Sequence, residues 1–339
     1  MGLYAGIDLH GKNHVLIIIN QMDEWVHKTR LSNNINLTLD VLQRFKNKLK
    51  AIAVESTYNW YWLVDGLRKN GYNVKLAHPA AFERYDGIKY TNDYSDAFYL
   101  AQLLRKEDLP EGNIMDIKKR QIRDLLRKRV MLVQEKTKHI LSLQSLIARN
   151  SGKMLPNKKI KKLTKKNITS LFQNDFLIMN ANIHINMIDN IRTELKPIEK
   201  KIFAKLKITK DFELIQTVDG IGKVLAATII LETGDISRFK QVGNYSSYCR
   251  LVKSERRSNG RKKGTNNHKN GNKYLCWAYV EAATFMIRNN EKARKFYQRK
   301  KAKTNKIVGK KALANKIARA CFYILRDKVK FDDKKLFGT

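Results

Sequence analysis

Hydrophobic and polar positions alternate in short blocks over the first hundred residues. Leu3 to Asp8, His14 to Ile19 and Glu24 to Arg30 predict three strands separated by tight polar turns. A helix from about Leu37 to Leu49 and a short buried strand from Ala51 to Glu55 follow. The next elements are a helix over about 60–69, a strand over 74–77 and a helix that begins near Asp93. This order predicts an α/β domain with a mixed sheet flanked by helices.

The pattern changes to long, charged, helix-favouring stretches between about Asp116 and Leu206. Ile122 to Ala148 carries apolar residues at helical spacing and predicts one arm of an antiparallel helical hairpin or coiled coil. Its tip is expected at Ser151 to Lys166, where a glycine, a proline and a run of lysines oppose a packed helix. A solvated loop and a nucleic-acid contact remain equally open for this tip.

A third, mainly helical region contains two closely spaced glycines at the start of an apolar helix. Gly220 and Gly222, followed by Lys223, can expose backbone N–H groups to a phosphate, as in helix-hairpin-helix modules. A plain helix-capping turn is the alternative for this short pattern. The expected domains are residues 1–112, a helical region over 113–206, and a C-terminal domain over 207–339.

The net charge of the chain indicates which class of partner it binds. The 68 Lys and Arg residues outnumber the 31 Asp and Glu residues and give a net charge of +37, so nucleic acid is the expected partner. An anionic membrane surface is the alternative, but no apolar run approaches the roughly 20 residues that span a bilayer. We therefore expect a cytoplasmic protein. The three cysteines are widely spaced and form no CxxC pair, which predicts reduced, packed side chains.

Four acidic residues stand at positions where a sheet edge and a helix start can meet. Asp8 and Glu55 end predicted strands, and Asp93 and Asp96 share one face at the start of a helix. Such a cluster needs cations, and two Mg²⁺ or Mn²⁺ ions would both neutralise it and bind a phosphodiester. Taken singly, each residue also has a structural explanation: Asp93 as an N-cap, Asp96 as a first-turn charge, Asp8 as a turn former.

A glycine-punctuated cationic segment between Leu251 and Tyr274 contains Ser258. In one interpretation Ser258 attacks a phosphodiester, helped by neighbouring cations and by Asn259-Gly260, which permits close approach to the backbone. In the other, the segment is a mobile loop that holds DNA and Ser258 is a turn residue. The expected DNA-contacting residues of the segment are Arg256, Arg257, Arg261, Lys262, Lys263, Lys269 and Lys273.

Several short motifs in a fixed order resemble the IS110/IS1111-type DEDD transposases of insertion sequences, the group that includes the Piv-type DNA invertases. They include Gly6-Ile7-Asp8, Val54-Glu55-Ser56-Thr57, Asp93-Tyr94-Ser95-Asp96 after Lys89 and Thr91, Gly220-Ile221-Gly222, and Ser258-Asn259-Gly260-Arg261. Asn92 stands where the family often has Thr, and Asp219 where it often has Pro.

The resemblance implies a RuvC-like, RNase H-type fold for the first domain, with Asp8, Glu55, Asp93 and Asp96 as a metal-binding tetrad. It also implies that Ser258 is a nucleophile that forms a covalent serine–DNA linkage, with Ser254 as its rival. The resemblance further implies a prokaryotic protein, a noncoding guide RNA, and a homo-oligomer (dimer or tetramer) assembled through the middle helices.

The predicted function is cutting and rejoining of insertion-sequence DNA. A site-specific invertase with the same chemistry is the runner-up. A RuvC-like junction nuclease would use the tetrad and metal but not the serine, and a non-enzymatic nucleic-acid binder would use neither.

Overall fold

The computed structural model describes residues 2–78, 92–206, 209–264 and 270–338. This part of the chain divides into two compact units, Met1–Ile114 and Met115–Thr339, and each is described by itself. Lys89, Thr91 and Lys269, named above from the sequence, lie outside the described residues.

A mixed sheet forms the centre of the first unit. Its strands are β1 (Leu3–Leu9), β2 (Asn13–Ile19), β3 (Trp25–Ser32), β4 (Leu49–Glu55), β5 (Val74–Ala77) and β6 (Glu111–Gly112). In the described residues they lie in the order β3-β2-β1-β4-β5-β6, with β1, β4 and β5 parallel and the remaining pairings antiparallel. β2 is almost continuously apolar because the sheet is covered on both faces, whereas β3 alternates between exposed and half-buried residues as an edge strand does.

Helices α1 (Ile35–Gln43), α2 (Tyr61–Lys69) and α3 (Asp93–Arg105) cover the sheet. Leu42 of α1 and Leu63 of α2 pack with Ile7 and Ile18 in one apolar cluster, and Ala97 and Ala101 of α3 pack on Val15 and Ile17 in another. The layering and strand order confirm the expected RuvC-like α/β fold. Helix α1 ends six residues earlier than predicted, because the chain turns at 44–48 and Leu49 already pairs in β4.

Two long helices dominate the start of the second unit, as the sequence predicted. They are α4 (Ile117–Ser151) and α7 (Asp175–Leu206), which pack against each other. Gly152 adopts a φ of 67° and caps the end of α4, a conformation that glycine adopts without strain.

The segment between these helices differs from the expected loop. It contains α5 (Asn157–Ile160) and the start of α6 (Lys165–Leu171), and Ile160 is only 2% exposed. Ile160 packs with Ile168 and Phe172 against the ends of the long helices. The lysines remain at the surface while the apolar residues between them form a small core, so the expectation that this segment forms no packed helix was wrong.

The remainder of the second unit is mainly helical, as expected. Its elements are α8 (Lys210–Gln216), α9 (Lys223–Thr233), a 3₁₀ turn (Ile236–Arg238), α10 (Val242–Tyr248), β7 (Arg256–Ser258), β8 (Arg261–Gly264), α11 (Lys273–Asn289), α12 (Glu291–Lys303), α13 (Lys306–Asp327) and α14 (Asp333–Phe337). Alanine-rich faces of α11 and α13 approach closely around Tyr245 and Tyr279, whose hydroxyls are 2.6 Å apart. The three cysteines are free, and no described helix has the length and hydrophobicity to cross a membrane.

Candidate active site

Gly6 determines how closely helix α3 lies over strand β1. A Cβ at this position would meet the carbonyl oxygen of Ala97 at 2.0 Å and the amide nitrogen of Ala101 at 2.7 Å. The missing side chain therefore lets the helix backbone rest directly on the strand. Because Asp8 lies two residues along the same strand, this contact brings the N-terminus of α3 to the end of β1.

Three side chains meet at that point. His10 Nε2 lies 3.1 Å from Asp8 Oδ2 and 3.3 Å from Asp93 Oδ1. One ligand atom from each of the three residues falls within 4.8 Å of the others, the arrangement of a potential metal site. Asp8 is 3% exposed, whereas His10 and Asp93 are partly open to solvent. The structure thus brings two of the four predicted carboxylates together with a histidine that the sequence interpretation did not include.

The capping of α3 leaves Asp93 available for this cluster. Asn92 is the N-cap: its side chain accepts a hydrogen bond from the Ser95 amide, and the Ser95 hydroxyl accepts one from the Asn92 amide. The alternative explanation of Asp93 as an N-cap is therefore wrong. Asp93 is instead the first residue of the helix, and the positive end of the helix dipole favours its ionised form.

Arg30 on β3 is a second residue of the cluster that was not predicted. Its Nη2 donates to Asp93 Oδ2 at 2.6 Å, and its Nη1 donates to Asn13 at 3.1 Å. The Arg30 hydrogen bond, with a smaller contribution from the charge of His10, lowers the pKa of Asp93 below its usual value. Asp93 is therefore a carboxylate near neutral pH.

Glu55 and Asp96 lie on the elements that flank the cluster. Glu55 is the last residue of β4, which runs parallel to β1 with Ile7 opposite Val54, so Glu55 comes next to Asp8 at the same sheet edge. Asp96 lies in the first turn of α3. Neither belongs to the group whose ligand atoms lie within 4.8 Å, and both are half-buried.

The donor set fits a divalent cation. Two carboxylates converge where one of them, Asp8, is almost fully buried, and burial of like charges is costly unless a cation compensates them. Carboxylate oxygens are the ligands that Mg²⁺ and Mn²⁺ prefer, and an imidazole can complete such a set. Asp8, His10 and Asp93 are thus able to hold an ion, with Glu55 adjacent on the next strand.

Ser258 lies on a β-hairpin in the second unit. Strands β7 and β8 pair in an antiparallel manner with Ser258 opposite Arg261. Asn259 and Gly260 form the turn with φ angles of 49° and 71°, the signs that a type I′ hairpin turn requires. This part of the segment is thus a paired hairpin, and Asn259-Gly260 forms its turn. Ser258 is exposed, whereas Ser254 is half-buried.

Both ends of the hairpin segment are attached to the core of the second unit. Leu251 is 5% exposed on one side and Asn272 8% on the other. The amide of Asn272 donates to the Tyr248 carbonyl at 2.6 Å, and Arg250 Nε donates to the Gly271 carbonyl at 2.9 Å. The hairpin therefore extends from two fixed points.

Apart from the glycine turn, the described nucleic-acid contacts predicted for this unit lie on the hairpin and at the start of α11. Arg261 and Lys263 have exposed side chains on β8, and Lys273 is exposed in the first turn of α11. Arg256, Arg257 and Lys262 belong to the hairpin strands.

The two glycines of the Gly220–Gly222 turn differ in their surroundings. Gly220 has a φ of 83°, and a Cβ there would lie 2.6 Å from the Ala282 carbonyl, so this glycine is needed to pack the turn on α11. Gly222 caps α9 beside open space, followed by exposed Lys223.

Two family models match the chain. Residues 5–149 match a transposase model of the DEDD, IS110 type, and residues 212–298 match the model described as the transposase IS116/IS110/IS902 family. The first match contains Asp8, Glu55, Asp93 and Asp96, and the second contains Ser258. Together the two matches cover more than half of the chain. No curated protein sequence matches it.

Proposed function

Because this protein belongs to the IS110 family of insertion-sequence transposases, we propose that it cuts and rejoins DNA through a covalent phosphoserine intermediate formed by Ser258. The proposal assigns Asp8, Glu55, Asp93 and Asp96 to the binding of divalent cations, Mg²⁺ or Mn²⁺, and adds His10 to this set. The observation that carries it is the convergence of Asp8, His10 and Asp93 within 4.8 Å in a chain of net charge +37.

A phosphodiester in this site would meet groups suited to its charge. When bound, the cation would act as a Lewis acid on the phosphate oxygens and would reduce the repulsion between the phosphate and the carboxylates. Asp8 and Asp93 would hold it, because their carboxylate oxygens converge at this point and the pKa of Asp93 is lowered. Arg30 and His10 would orient the Asp93 carboxylate, since each contacts one of its two oxygens.

Ser258 would supply the nucleophile. Its hydroxyl oxygen would form a bond to phosphorus while the bond from phosphorus to one strand oxygen breaks. The serine proton would pass to a base, and the departing strand oxygen would take up a proton and become a hydroxyl group. The serine ester conserves the phosphodiester linkage, so a DNA hydroxyl can later displace Ser258 and rejoin the strand. The exposed position of Ser258 beside Arg261 supports this assignment over half-buried Ser254.

The proposal includes three partners. DNA is the substrate, and the cationic residues of the hairpin and of the Gly222–Lys223 turn would contact its phosphates. A noncoding guide RNA encoded by the element and a homo-oligomer, dimer or tetramer, remain proposals from the family resemblance.

A site-specific invertase would use the same residues on fixed inverted sites.

The test is a search for a covalent protein–DNA adduct on a denaturing gel. The purified full-length chain would be incubated with end-labelled DNA spanning the element junction, its candidate RNA and Mg²⁺. Ser258→Ala and Asp93→Asn would be compared with two matched controls, Ser254→Ala in the same segment and Asp40→Asn, an exposed carboxylate on α1.

We expect an adduct in the unaltered chain and both controls, and none in Ser258→Ala or Asp93→Asn. DNA cleavage without an adduct, equally fast in Ser258→Ala, would contradict the serine assignment and favour a hydrolytic nuclease. Binding without cleavage, unaffected by any of the substitutions, would favour a non-enzymatic binder.

A further inference from the structure

A cleft of about 630 Å³ lies between helices α4 and α11 in the second unit. Val130 and Met131 form one wall, and Tyr274 and Trp277 form the other. Lys128 and Lys273 lie at its rim, and both are exposed. An apolar and aromatic cleft with a cationic rim differs from the hairpin and the glycine turn, which offer cations and backbone groups.

Arg127 and Tyr274 are fixed in place at one end of this cleft. Arg127 donates through Nε and Nη2 to the two oxygens of Glu232 at 2.6 and 2.7 Å, and its guanidinium lies 4.7 Å from the centre of the Tyr274 ring. Glu232 is 3% exposed and also accepts from Asn272 Nδ2 at 2.7 Å. This bidentate ion pair holds the Arg127 and Glu232 side chains in one orientation before any ligand arrives.

The charges around the cleft favour an anion at the rim. Glu232 is compensated by Arg127, and the rim carboxylate Asp124 lies 3.4 Å from Arg123. Lys128 and Lys273 come from different helices, and Lys273 is the first residue of α11, where the helix dipole adds positive potential. Asn272 caps this helix through the amides of Tyr274 and Leu275, which fixes the start of α11 beside the cleft.

We infer that this cleft binds one unpaired nucleotide of the nucleic-acid substrate. The base would stack on Trp277 opposite Met131, and its phosphate would lie against Lys128 and Lys273. Aromatic faces and cations in this combination are the means by which proteins hold unstacked bases. A fully paired duplex hides the faces of its bases and would use only the rim. The inference rests on the proposed function because it takes nucleic acid as the substrate; DNA and RNA share this chemistry.

The experiment measures binding alone, in a full-length Ser258→Ala background that cannot form the proposed linkage. The probes are a duplex with a single bulged 2-aminopurine and the matching fully paired duplex, each made as DNA and as RNA. Trp277→Ala removes the stacking surface and Trp277→Phe retains an aromatic ring. Trp25→Ala, which removes a half-exposed tryptophan of the first unit, is the matched control.

We expect Trp277→Ala to bind the bulged probe about tenfold more weakly and to lose the quenching of 2-aminopurine fluorescence that stacking produces. Trp277→Phe should retain most of both, and Trp25→Ala should change neither. Binding of the paired duplex should be equal in all variants. The probe chemistry, DNA or RNA, on which Trp277→Ala has the larger effect identifies the source of the nucleotide.

An equal loss on paired and bulged probes, or no loss on either in a variant with an unchanged thermal unfolding midpoint, would overturn the inference. The salt dependence gives an independent check: Lys273→Met should reduce the slope of log affinity against log salt by about one, and Trp277→Ala should leave it unchanged. Failure of the proposed function would instead appear in the adduct assay, which does not depend on Trp277.

Discussion

Replacing Gly6 by alanine should separate the two carboxylates of the candidate site without touching either. The new Cβ would lie 2.0 Å from the Ala97 carbonyl oxygen, whereas ordinary contact begins at 3.4 Å, so α3 has to retreat by about 1.4 Å. The opposing atoms belong to the helix backbone and cannot rotate away. Because Asp93 begins that helix, its carboxylate moves with it, away from Asp8.

Two magnitudes follow. Overpacking of this kind costs about 1–3 kcal/mol of the free energy of unfolding. A displacement of about 1 Å at reacting groups lowers rates by about a hundredfold, and we expect a loss of this size in the rate of adduct formation. Gly243→Ala is the matched control, since Gly243 lies in helix α10 with nothing within 4 Å of its Cβ position. That substitution should be neutral or stabilise by up to about 1 kcal/mol.

Urea unfolding of both variants gives the stability change, and the rate of adduct formation at saturating Mg²⁺ gives the functional change. The reasoning would be refuted if Gly6→Ala unfolded at the same urea concentration as the unaltered chain and formed the adduct at the same rate. A stability loss without any loss of rate would show that α3 packing does not position Asp93.

Three other substitutions test separate contacts. Arg105 donates to both oxygens of Asp23 and lowers the pKa of that carboxyl below its usual 3.8. A depressed pKa contributes stability above the unfolded-state pKa, and this contribution is lost as pH falls through the folded-state pKa. Arg105→Gln should therefore lower stability slightly at neutral pH and leave it unchanged in strong acid. Urea unfolding across pH would contradict this if the difference persisted in acid. Gly260 has a φ of 71°, a conformation that costs a valine about 1–2 kcal/mol. Gly260→Val should therefore reduce adduct formation without changing the global unfolding midpoint, whereas Gly260→Asn should retain activity. Arg127→Met leaves the buried Glu232 carboxylate uncompensated and should destabilise the chain by about 3 kcal/mol in thermal or urea unfolding. The double variant Arg127→Met/Glu232→Leu should lose less stability. An equal loss of stability in both variants would argue against a buried ion pair.

The periodicity of the sequence was sufficient for the sheet of the first unit. Its buried strands are short apolar runs bounded by turn residues, and the order of elements leaves few ways to connect them. It was insufficient at the tip of the helical hairpin. There the lysines dominate the composition, while Leu155, Ile160 and Leu163 pack in one cluster with residues of the two long helices, which are distant in sequence.

The candidate site divides in the same way. Asp8 and Glu55 could be paired from sequence because each ends a strand. His10 carried a local signal, since it follows Asp8 by two residues, directly after the end of β1. Arg30 carried none: it reaches Asp93 because Asp8 lies opposite Val15 and Val15 opposite Arg30, and only the strand register reveals that row.

The surroundings of two buried carboxylates separate structural acids from candidate metal ligands in this basic chain. Asp8 and Glu232 are each 3% exposed. Glu232 accepts hydrogen bonds from Arg127 at both of its oxygens and a further one from Asn272. Arg127 therefore already compensates its negative charge, and no metal cation is needed. Asp8 instead lies beside His10, whose imidazole could bind a metal ion, and His10 in turn lies beside Asp93. A buried carboxylate bordered by a second carboxylate and an imidazole gains most from a divalent ion, whereas one already held by arginine gains little. Equal burial is therefore compatible with different roles, and the neighbouring groups make Asp8 rather than Glu232 the candidate metal ligand.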